Sequence, residues 1–156
     1  MSPDIVTRAV RRRMMQAVRR SGTAPESVVR HTVRDLGVRW GHGAAKLPGA
    51  PDLVSLRHRW AIFVHGCFWH SHRNCKKTKG GADGRIPASN REFWATKLAA
   101  NRERDARKAR ELRHLGFRVL TICECECRNV LRLERKLVRF FNVVPGPEPP
   151  RKVKSK

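Results

Sequence analysis

The sequence predicts a small mixed α/β domain with the element order α-α-β-β-α-β-α. Three patterns support this: apolar residues at helical spacing near the N-terminus, two short apolar runs typical of a hairpin, and a helix–strand–helix pattern toward the C-terminus. A chain of 156 residues can bury a core without disulfides. We expect a single domain over residues 1–144, followed by a disordered, Pro-rich basic tail over residues 145–156.

Two helices are predicted before the hairpin. Val6, Val10 and Met14 recur at helical spacing among arginines, which indicates an amphipathic basic helix within residues 1–22. Thr23-Ala24-Pro25-Glu26 fits a capping box, so a second helix is expected to start there and to stop at Gly37.

The hairpin is predicted from Leu53 to Leu56 and Trp60 to Val64, two apolar runs that Arg57-His58-Arg59 separates. Its second strand is almost wholly apolar and is expected to be buried.

The remaining elements follow a Lys- and Gly-rich loop. Ser89-Asn90-Arg91-Glu92 fits a second capping box and opens a long helix that ends before Gly116. Phe117 to Ile122 is predicted to be a buried strand, and apolar residues between 131 and 141 mark a C-terminal helix.

The charge of the chain predicts a nucleic-acid partner. The formal net charge is +22, from 35 Lys and Arg against 13 Asp and Glu. Such an excess is typical of proteins that bind a polyanion with steeply salt-dependent affinity. We expect the basic helix within residues 1–22 to contact DNA phosphates. Ribosomal and nucleoid proteins share this charge, so charge alone does not indicate an enzyme.

Cysteine usage indicates a reducing compartment. The number of cysteines is odd and three of them alternate along one apparent strand, which argues against a disulfide framework. No N-terminal segment resembles a signal peptide, and no apolar run approaches membrane-spanning length. We therefore expect a cytoplasmic protein without a membrane partner, in which metal ligation is the favoured use of the thiols.

His65 to Cys75 holds three imidazoles, two thiols and two adjacent aromatic rings within eleven residues. Within it, Cys67, His72 and Cys75 have the Cys-x4-His-x2-Cys spacing that suits a tetrahedral Zn²⁺. A fourth protein ligand would close the site and make it structural. Three further thiols fall on one face of the predicted strand, and by period alone any of them could complete the site: Cys123, Cys125 and Cys127.

A second group of residues suits catalysis. Asp52 stands at the start of the first strand and His65 at the end of the next, so the carboxylate could hold Mg²⁺ through oxygen ligands. His70 alternates away from the proposed zinc ligand His72, and a free imidazole beside a metal-bound water can act as general base or acid. The alternatives are an Asx turn for Asp52 and a phosphate-contacting surface histidine for His70.

Phe68 and Trp69 form an aromatic pair between predicted zinc ligands, where the chain is not a regular strand. Apolar wedges of this kind separate base steps at a cost of roughly a few kcal/mol per step, and least where a mismatch already weakens stacking. The pair therefore predicts a sensor of damaged base pairing.

Several motifs together resemble one family, the very short patch repair (Vsr) DNA mismatch endonucleases. The motifs are Thr23-x-Pro25-Glu26, Leu47-Pro48-Gly49-x-Pro51-Asp52, Phe63-Val64-His65-Gly66-Cys67-Phe68-Trp69-His70, Phe93-Trp94 with Asn101-x3-Asp105, and Glu124-Cys125. They occur in a consistent order from about Met14 to Cys125.

The resemblance implies a restriction-endonuclease-like fold of the PD-(D/E)XK superfamily. It also implies an enzyme that nicks double-stranded DNA 5′ of the thymine in T:G mismatches, which arise by deamination of 5-methylcytosine, and so initiates very short patch repair. The implied cofactors are a catalytic Mg²⁺ and a structural Zn²⁺. We expect a monomer that associates with the nucleoid when bound to DNA, with mismatch-repair proteins as possible partners.

The resemblance also implies roles for single residues. Asp52 resembles the magnesium-binding carboxylate, with the Val64 carbonyl as a second ligand. His65 takes the place of the superfamily lysine beside the scissile phosphate, and His70 resembles the histidine that activates water. Two acidic residues match assisting positions: Glu26 and Asp105.

Two further sets are carried over in the same way. The implied zinc ligands are Cys67, His72, Cys75 and Cys125, and the implied intercalating trio is Phe68, Trp69 and Met15. This sequence has Cys123 where the family typically has Trp.

Two other functions share some of these sequence features. A non-catalytic, zinc-stabilised DNA-binding protein would also use the basic helix and the aromatic pair, with Asp52 and His70 incidental. A zinc nucleobase deaminase needs a Pro-Cys-x-x-Cys pair and an open zinc position. The sequence has no such pair, and four protein ligands would leave no open position.

Overall fold

The computed structural model describes residues 7–17, 21–70, 75, 86 and 90–142, without the side chains of residues 8, 11, 14 and 15. The predicted tail and the ends of the predicted basic helix lie outside the described residues. The described helices and strands are α1 (Arg8–Gln16), α2 (Ala24–Asp35), β1 (Leu53–Ser55), β2 (Trp60–His65), α3 (Cys67–His70), α4 (Arg91–His114), β3 (Arg118–Cys123) and α5 (Val130–Phe141). This is the predicted order with one addition, the single turn α3, which the sequence did not predict. Short 3₁₀ helices occupy Ala44–Lys46 and Glu124–Arg128.

The cap of α2 is where the sequence predicts it. The Thr23 hydroxyl oxygen accepts the Glu26 N–H at the helix start. The Glu26 carboxylate in turn accepts hydrogen bonds from the Gly22 N–H at 2.8 Å and from the Thr23 hydroxyl at 3.0 Å. Both ends of the predicted helix are confirmed, since α2 gives way to Gly37 in the left-handed conformation (φ 73°).

The three described strands form one mixed sheet in the order β1-β2-β3. β1 and β2 pair antiparallel with Leu53 opposite Ile62, which confirms the hairpin. β2 and β3 pair parallel, with His65 opposite Cys123. A parallel pair needs a crossover connection, and this is the segment that contains α3 and α4.

Helices cover both faces of the sheet. Successive residues of a strand point to opposite faces, so Ile62 packs toward α2 and α5, whereas Phe63 packs toward α4. The buried residues on the first side are Val29, Val33, Leu53, Trp60, Ile62, Ile122, Cys127, Leu133 and Leu137. Those on the second side are Val54, Ala61, Phe63, Leu112 and Phe117. The result is a mixed α/β domain with the sheet between two helical layers, as predicted.

The last strand is less buried than predicted. Ile122 is buried, as is Phe117 just before the strand, but the other β3 residues are half-buried. Within the described residues β3 pairs only with β2, so it lies at an edge of the sheet and one side stays accessible.

The prediction that three cysteines share one strand face is wrong. The strand ends at Cys123, and Cys125 and Cys127 lie on the 3₁₀ helix Glu124–Arg128. The strand gives way to the 3₁₀ helix here because the Glu126 carboxylate accepts the Cys123 N–H at 2.8 Å, a bond that a neighbouring strand would otherwise make. The Lys136 ammonium on α5 then holds Glu126 at 2.7 Å.

The second predicted capping box is also corrected. α4 begins at Arg91, and its N-cap is Asn90 in the left-handed conformation (φ 61°) with no side-chain capping bond. Ser89, the predicted cap, lies outside the described residues. Asparagine tolerates this conformation better than most residues, which explains why the turn falls there.

No helix within the described ranges combines the length and apolar character needed to span a membrane.

The packing of α5 yields a direct test of the core. Leu137→Ala removes a side chain with no exposed surface and should lower the free energy of unfolding by about 2–5 kcal/mol. Leu131→Ala, on the same helix but 68% exposed, should change it by less than about 0.5 kcal/mol. Urea unfolding followed by circular dichroism measures both. Equal losses would contradict this packing.

Candidate active site

A cleft of about 640 Å³ opens at the end of β2. It is lined by all five residues to which the resemblance gives catalytic roles: Glu26, Asp52, His65, His70 and Asp105. Each comes from a different place in the chain, namely α2, the residue before β1, the end of β2, the end of α3 and the middle of α4. Val64 lines the same cleft.

Asp52 is held by the hairpin that follows it. Its backbone N–H donates to the Ile62 carbonyl at 2.9 Å, which extends the β1–β2 ladder by one residue. Its Oδ2 accepts the Val64 N–H at 2.6 Å. Burial, and the nearby Glu26 carboxylate, raise the pKa of Asp52 from 3.8 to about 6, although the Val64 N–H and Arg30 act in the opposite direction. A partly desolvated carboxylate of this kind is stabilised by a cation.

Glu26 brings a second carboxylate into the cleft. Its side chain is 5% exposed, and its oxygens are occupied by the Gly22 N–H and the Thr23 hydroxyl. The Arg30 guanidinium lies 3.8 Å away, one helical turn later. The capping interactions therefore fix the orientation of Glu26.

His65 and His70 stack on each other, with ring centroids 3.8 Å apart and planes 10° from parallel. His70 Nδ1 lies 2.5 Å from Asp105 Oδ2. Because a carboxylate only accepts, Nδ1 of the neutral ring carries the hydrogen and Nε2 keeps its lone pair. Burial first, and His70 second, lower the pKa of His65 to about 4, so that ring is neutral at pH 7.

The position of His70 depends on α3, a single helical turn. The Glu124 carboxylate accepts the Cys67 N–H at 3.2 Å where α3 begins. At its end the Asn101 amide donates to the Trp69 carbonyl at 3.2 Å. Asn101 and Asp105 are four residues apart, so one face of α4 contacts both the backbone of α3 and the His70 ring.

Three thiols converge on the other side of α3. The sulfur atoms of Cys67, Cys75 and Cys125 all lie within 4.8 Å of one another. Ligands 2.3 Å from a tetrahedral Zn²⁺ are about 3.8 Å apart, so the three sulfurs fit such an ion after a small approach. The Cys125 N–H also donates to Cys67 Sγ at 3.2 Å. His72, the predicted fourth ligand, lies outside the described residues.

The structure separates the three cysteines that the sequence left as alternatives. Cys125 joins the thiol cluster, whereas Cys127 is 8% exposed and packs in the core beside the Pro25 carbonyl. Cys123 lies outside the cluster of mutually close sulfurs. Burial raises the pKa of Cys123 and that of Cys125 to about 12, so without a cation both thiols are protonated at neutral pH.

The aromatic pair belongs to a larger cluster. Phe68 and Trp69 are half-buried on α3 and contact Trp94 on α4, at centroid distances of 5.6 and 6.2 Å. The Lys97 ammonium lies 5.8 Å from the Trp69 ring and 5.5 Å from the Trp94 ring. The Met15 side chain lies outside the described part of the chain.

Several of these contacts were not predicted from the sequence. No role was assigned to Asn101, Trp94, Lys97 or Glu124. The spacing of Asn101 and Asp105 was a usable signal, since it places both on one helix face. No local pattern connects Glu124 with Cys67, because 57 residues separate them.

The environment of Asp52 predicts a gain in stability on its replacement. Between pH 3.8 and about 6 the Asp52 carboxyl is protonated in the folded state but ionised in the unfolded chain. The free energy of unfolding therefore falls as pH rises through this window, and above it the whole cost of burying the ionised carboxylate remains. Asp52→Asn should raise the free energy of unfolding by about 3 kcal/mol at about pH 8 and leave it nearly unchanged at about pH 3.5. Urea unfolding without added divalent cation measures this. The same difference at both pH values would refute the burial argument.

Comparison with known proteins identifies the family. The family model described as DNA mismatch endonuclease Vsr matches residues 3–77. The type II nicking enzyme V.XorIIP of Xanthomonas oryzae pv. oryzae is 40% identical over 81% of this chain and 88% of its own length. The DNA mismatch endonuclease Vsr of Escherichia coli K12 is 38% identical over 80% of this chain and 76% of its own length. The chain therefore belongs to the Vsr family of DNA mismatch endonucleases and is a DNA-nicking hydrolase.

Proposed function

We propose that this endonuclease nicks double-stranded DNA 5′ of the thymine in T:G mismatches left by deamination of 5-methylcytosine, and so initiates very short patch repair. One observation carries the proposal: Asp52 and the stacked pair His65 and His70 line one cleft, with His70 bound to a second carboxylate. The aromatic rings of Phe68 and Trp69 lie beside this cleft on α3. We further propose that the mixed sheet is a PD-(D/E)XK nuclease sheet with a variant site.

The oxygen donors at the end of the hairpin fit a hard cation. Asp52, with the Val64 carbonyl as second ligand, would hold Mg²⁺, because a desolvated carboxylate near a second carboxylate favours a divalent partner over solvent protons. Such a cation supplies charge neutralisation at the phosphoryl oxygens when it is bound. Glu26 assists by keeping the local potential negative.

His70 is proposed to be the general base. Its Nε2 takes a proton from the attacking water, while Asp105 holds Nδ1–H and stabilises the imidazolium that forms. The water oxygen bonds to phosphorus and the 3′ oxygen of the preceding nucleotide leaves. His65 lies against His70 and, being neutral, contacts the scissile phosphate through hydrogen bonding rather than as a cation.

Mismatch recognition is proposed to depend on the aromatic cluster. Phe68 and Trp69 would insert between base pairs beside the mismatch, with Met15 as the third intercalating residue. Stacking contributes about 1–3 kcal/mol per base and unstacking costs least at a mismatch. The rings therefore favour T:G over paired DNA. A single nick needs one active site, which favours a monomer.

The catalytic proposal is tested by a strand-specific nicking assay on end-labelled duplexes with a T:G, T:A or C:G pair at one position. The natural chain should cut 5′ of the mismatched thymine only with Mg²⁺. Asp52→Asn and His70→Ala should each lower the single-turnover rate by at least about 10²-fold while DNA binding persists. His114→Ala, which removes an exposed imidazole from α4, is the matched control and should leave the rate unchanged.

Full nicking by both site variants would refute these roles. Tight binding without a nick in any cytosine-methylation context would instead favour a DNA-binding protein that lacks this activity.

We also propose that Cys67, Cys75 and Cys125, with His72, hold a structural Zn²⁺. The soft thiol set and the mutual approach of its sulfurs within 4.8 Å support this. A closed site of this kind stabilises the fold around α3 rather than taking part in the chemistry.

The thiol cluster yields its own prediction. Cys125→Ser should lose at least half of the bound zinc measured by elemental analysis and lower the thermal unfolding temperature, because one of four ligands is gone. Cys123→Ser, two residues away and outside the cluster, should keep the zinc of the natural chain. Equal zinc content in both variants, or none in the natural chain, would overturn the ligand set.

A further inference from the structure

The cleft extends beyond the catalytic residues along α4. Four basic residues of this helix line it: Arg102, Arg104, Lys108 and Arg113. The cleft is also lined by Gly49, Ala50, Phe63 and Thr121. The first two basic residues flank Asp105, whereas Lys108 and Arg113 lie progressively farther along the helix from the histidine pair.

Charge is segregated within this cleft. Its acidic lining residues are Glu26, Asp52 and Asp105, all near the histidines. Beyond Asp105 on α4, the described residues that line the cleft include two basic residues, Lys108 and Arg113, and no acidic one. A groove lined by one sign of charge concentrates ligands of the opposite sign. The far part of the cleft is therefore suited to an anion.

Lys108 is placed by a close approach of the loop before β1. A Cβ on Gly49 would lie only 3.0 Å from Lys108 Cβ and 3.1 Å from the Phe63 ring. Gly49 also has φ +76°, which glycine adopts without strain. The loop that precedes Asp52 thus packs directly on the base of the Lys108 side chain, which fixes where this side chain leaves α4 relative to Asp52.

The ammonium remains available to a ligand. It lies 3.1 Å from a Glu111 oxygen in a pair whose side chains are 34% and 39% exposed. Exposed pairs of this kind contribute about 0–1 kcal/mol, so a phosphate can compete for the lysine. Arg113 is exposed, and no ion pair of its guanidinium is found with another described residue.

The spacing matches a DNA strand. Eight residues separate Asp105 from Arg113, which corresponds to about 12 Å along the helix axis. One strand of B-DNA advances about 3.4 Å per nucleotide along the duplex axis, so with α4 placed along that axis this distance would cover roughly three nucleotides.

We propose that Lys108 and Arg113 bind two backbone phosphates of the nicked strand on one side of the scissile phosphate, about one to three nucleotides away. This inference rests on the proposed function, since it assumes that the scissile phosphate lies at Asp52 and His70. It assigns to the C-terminal half of α4 a strand-binding site that reads no base sequence and holds the reacting phosphodiester in register.

The test is the salt dependence of DNA affinity. The double variant Lys108→Gln/Arg113→Gln should reduce the slope of log K against log[salt] by about 2, because each phosphate contact contributes about 0.9. The loss should be equal on T:G-containing and fully paired duplexes, since phosphates carry no sequence information. Lys108→Arg/Arg113→Lys keeps both charges and should retain the slope.

A matched control lies on the same helix. Arg107→Gln/Arg110→Gln also removes two exposed charges, and Arg107 likewise lies near Glu111, at 3.8 Å, but neither residue lines the cleft. This variant should change the slope by less than about 0.5. A similar reduction in both double variants would show only general charge attraction and would overturn the site.

Shortened duplexes locate the contact. When the duplex is trimmed to end one nucleotide from the scissile phosphate, the effect of Lys108→Gln/Arg113→Gln should vanish for trimming on one side only. An effect of the double variant that survives trimming on both sides contradicts the proposal. Nicking by the natural chain, measured in parallel, separates the two hypotheses: absence of a mismatch-directed nick rejects the proposed function, whereas normal nicking with an unchanged slope rejects only this site.

Discussion

The parallel pairing of β2 with β3 is the constraint on which the rest of the site depends. The pairing places His65 opposite Cys123, so both strands end at the same edge of the sheet. The segments that follow, α3 after β2 and the 3₁₀ helix after β3, must therefore lie side by side. This is why the Glu124 carboxylate reaches the Cys67 N–H and why the Cys125 N–H reaches the Cys67 sulfur. An antiparallel arrangement would have placed the two segments at opposite ends of the sheet.

The single turn of α3 couples the thiol cluster to the histidine pair. Cys67 stands at its first residue and His70 at its last. A helix of four residues has little stability of its own, because the hydrogen bonds of one turn do not offset the entropy lost in nucleating it. External contacts therefore determine its position: the thiols and Glu124 at one end, Asn101 and Asp105 at the other. A metal held by the thiols would thus help to fix the position of His70.

The cleft combines local acidity with a strongly basic chain. Three carboxylates line a cleft of a protein whose formal charge is +22. The surrounding positive potential favours a polyanion, whereas the carboxylates near the end of β2 would favour a divalent cation there. Burial would also favour a cation at this place, since it keeps His65 neutral and makes the ionised form of Asp52 unfavourable when no cation is near. The site is therefore less stable than the fold could be, as is common where charges are held for chemistry.

Local patterns in the sequence were sufficient to predict the mixed α/β class, the order of all elements except α3, the hairpin and the Thr23 cap, because each depends on neighbouring residues and on apolar periodicity. The residues of the candidate site were also identified before the structure, mainly because the motifs around Asp52, His65 and Cys67 resemble a known family. The apolar alternation failed where a side-chain hydrogen bond to the backbone decided the outcome. Glu126 ended β3 at Cys123 by binding its N–H, so the alternation of three cysteines did not persist as a strand.

Only the tertiary structure decided which thiol joins Cys67 and Cys75, that Asn101 holds α3, and that Asp105 orients His70. The physical reason is that these contacts join segments 32 to 58 residues apart, and their geometry follows from strand pairing and helix packing rather than from spacing along the chain. The sequence by itself determined which chemical groups are present and in which local elements they lie. The pairing of β2 with β3 and the packing of α4 determined which of those groups meet.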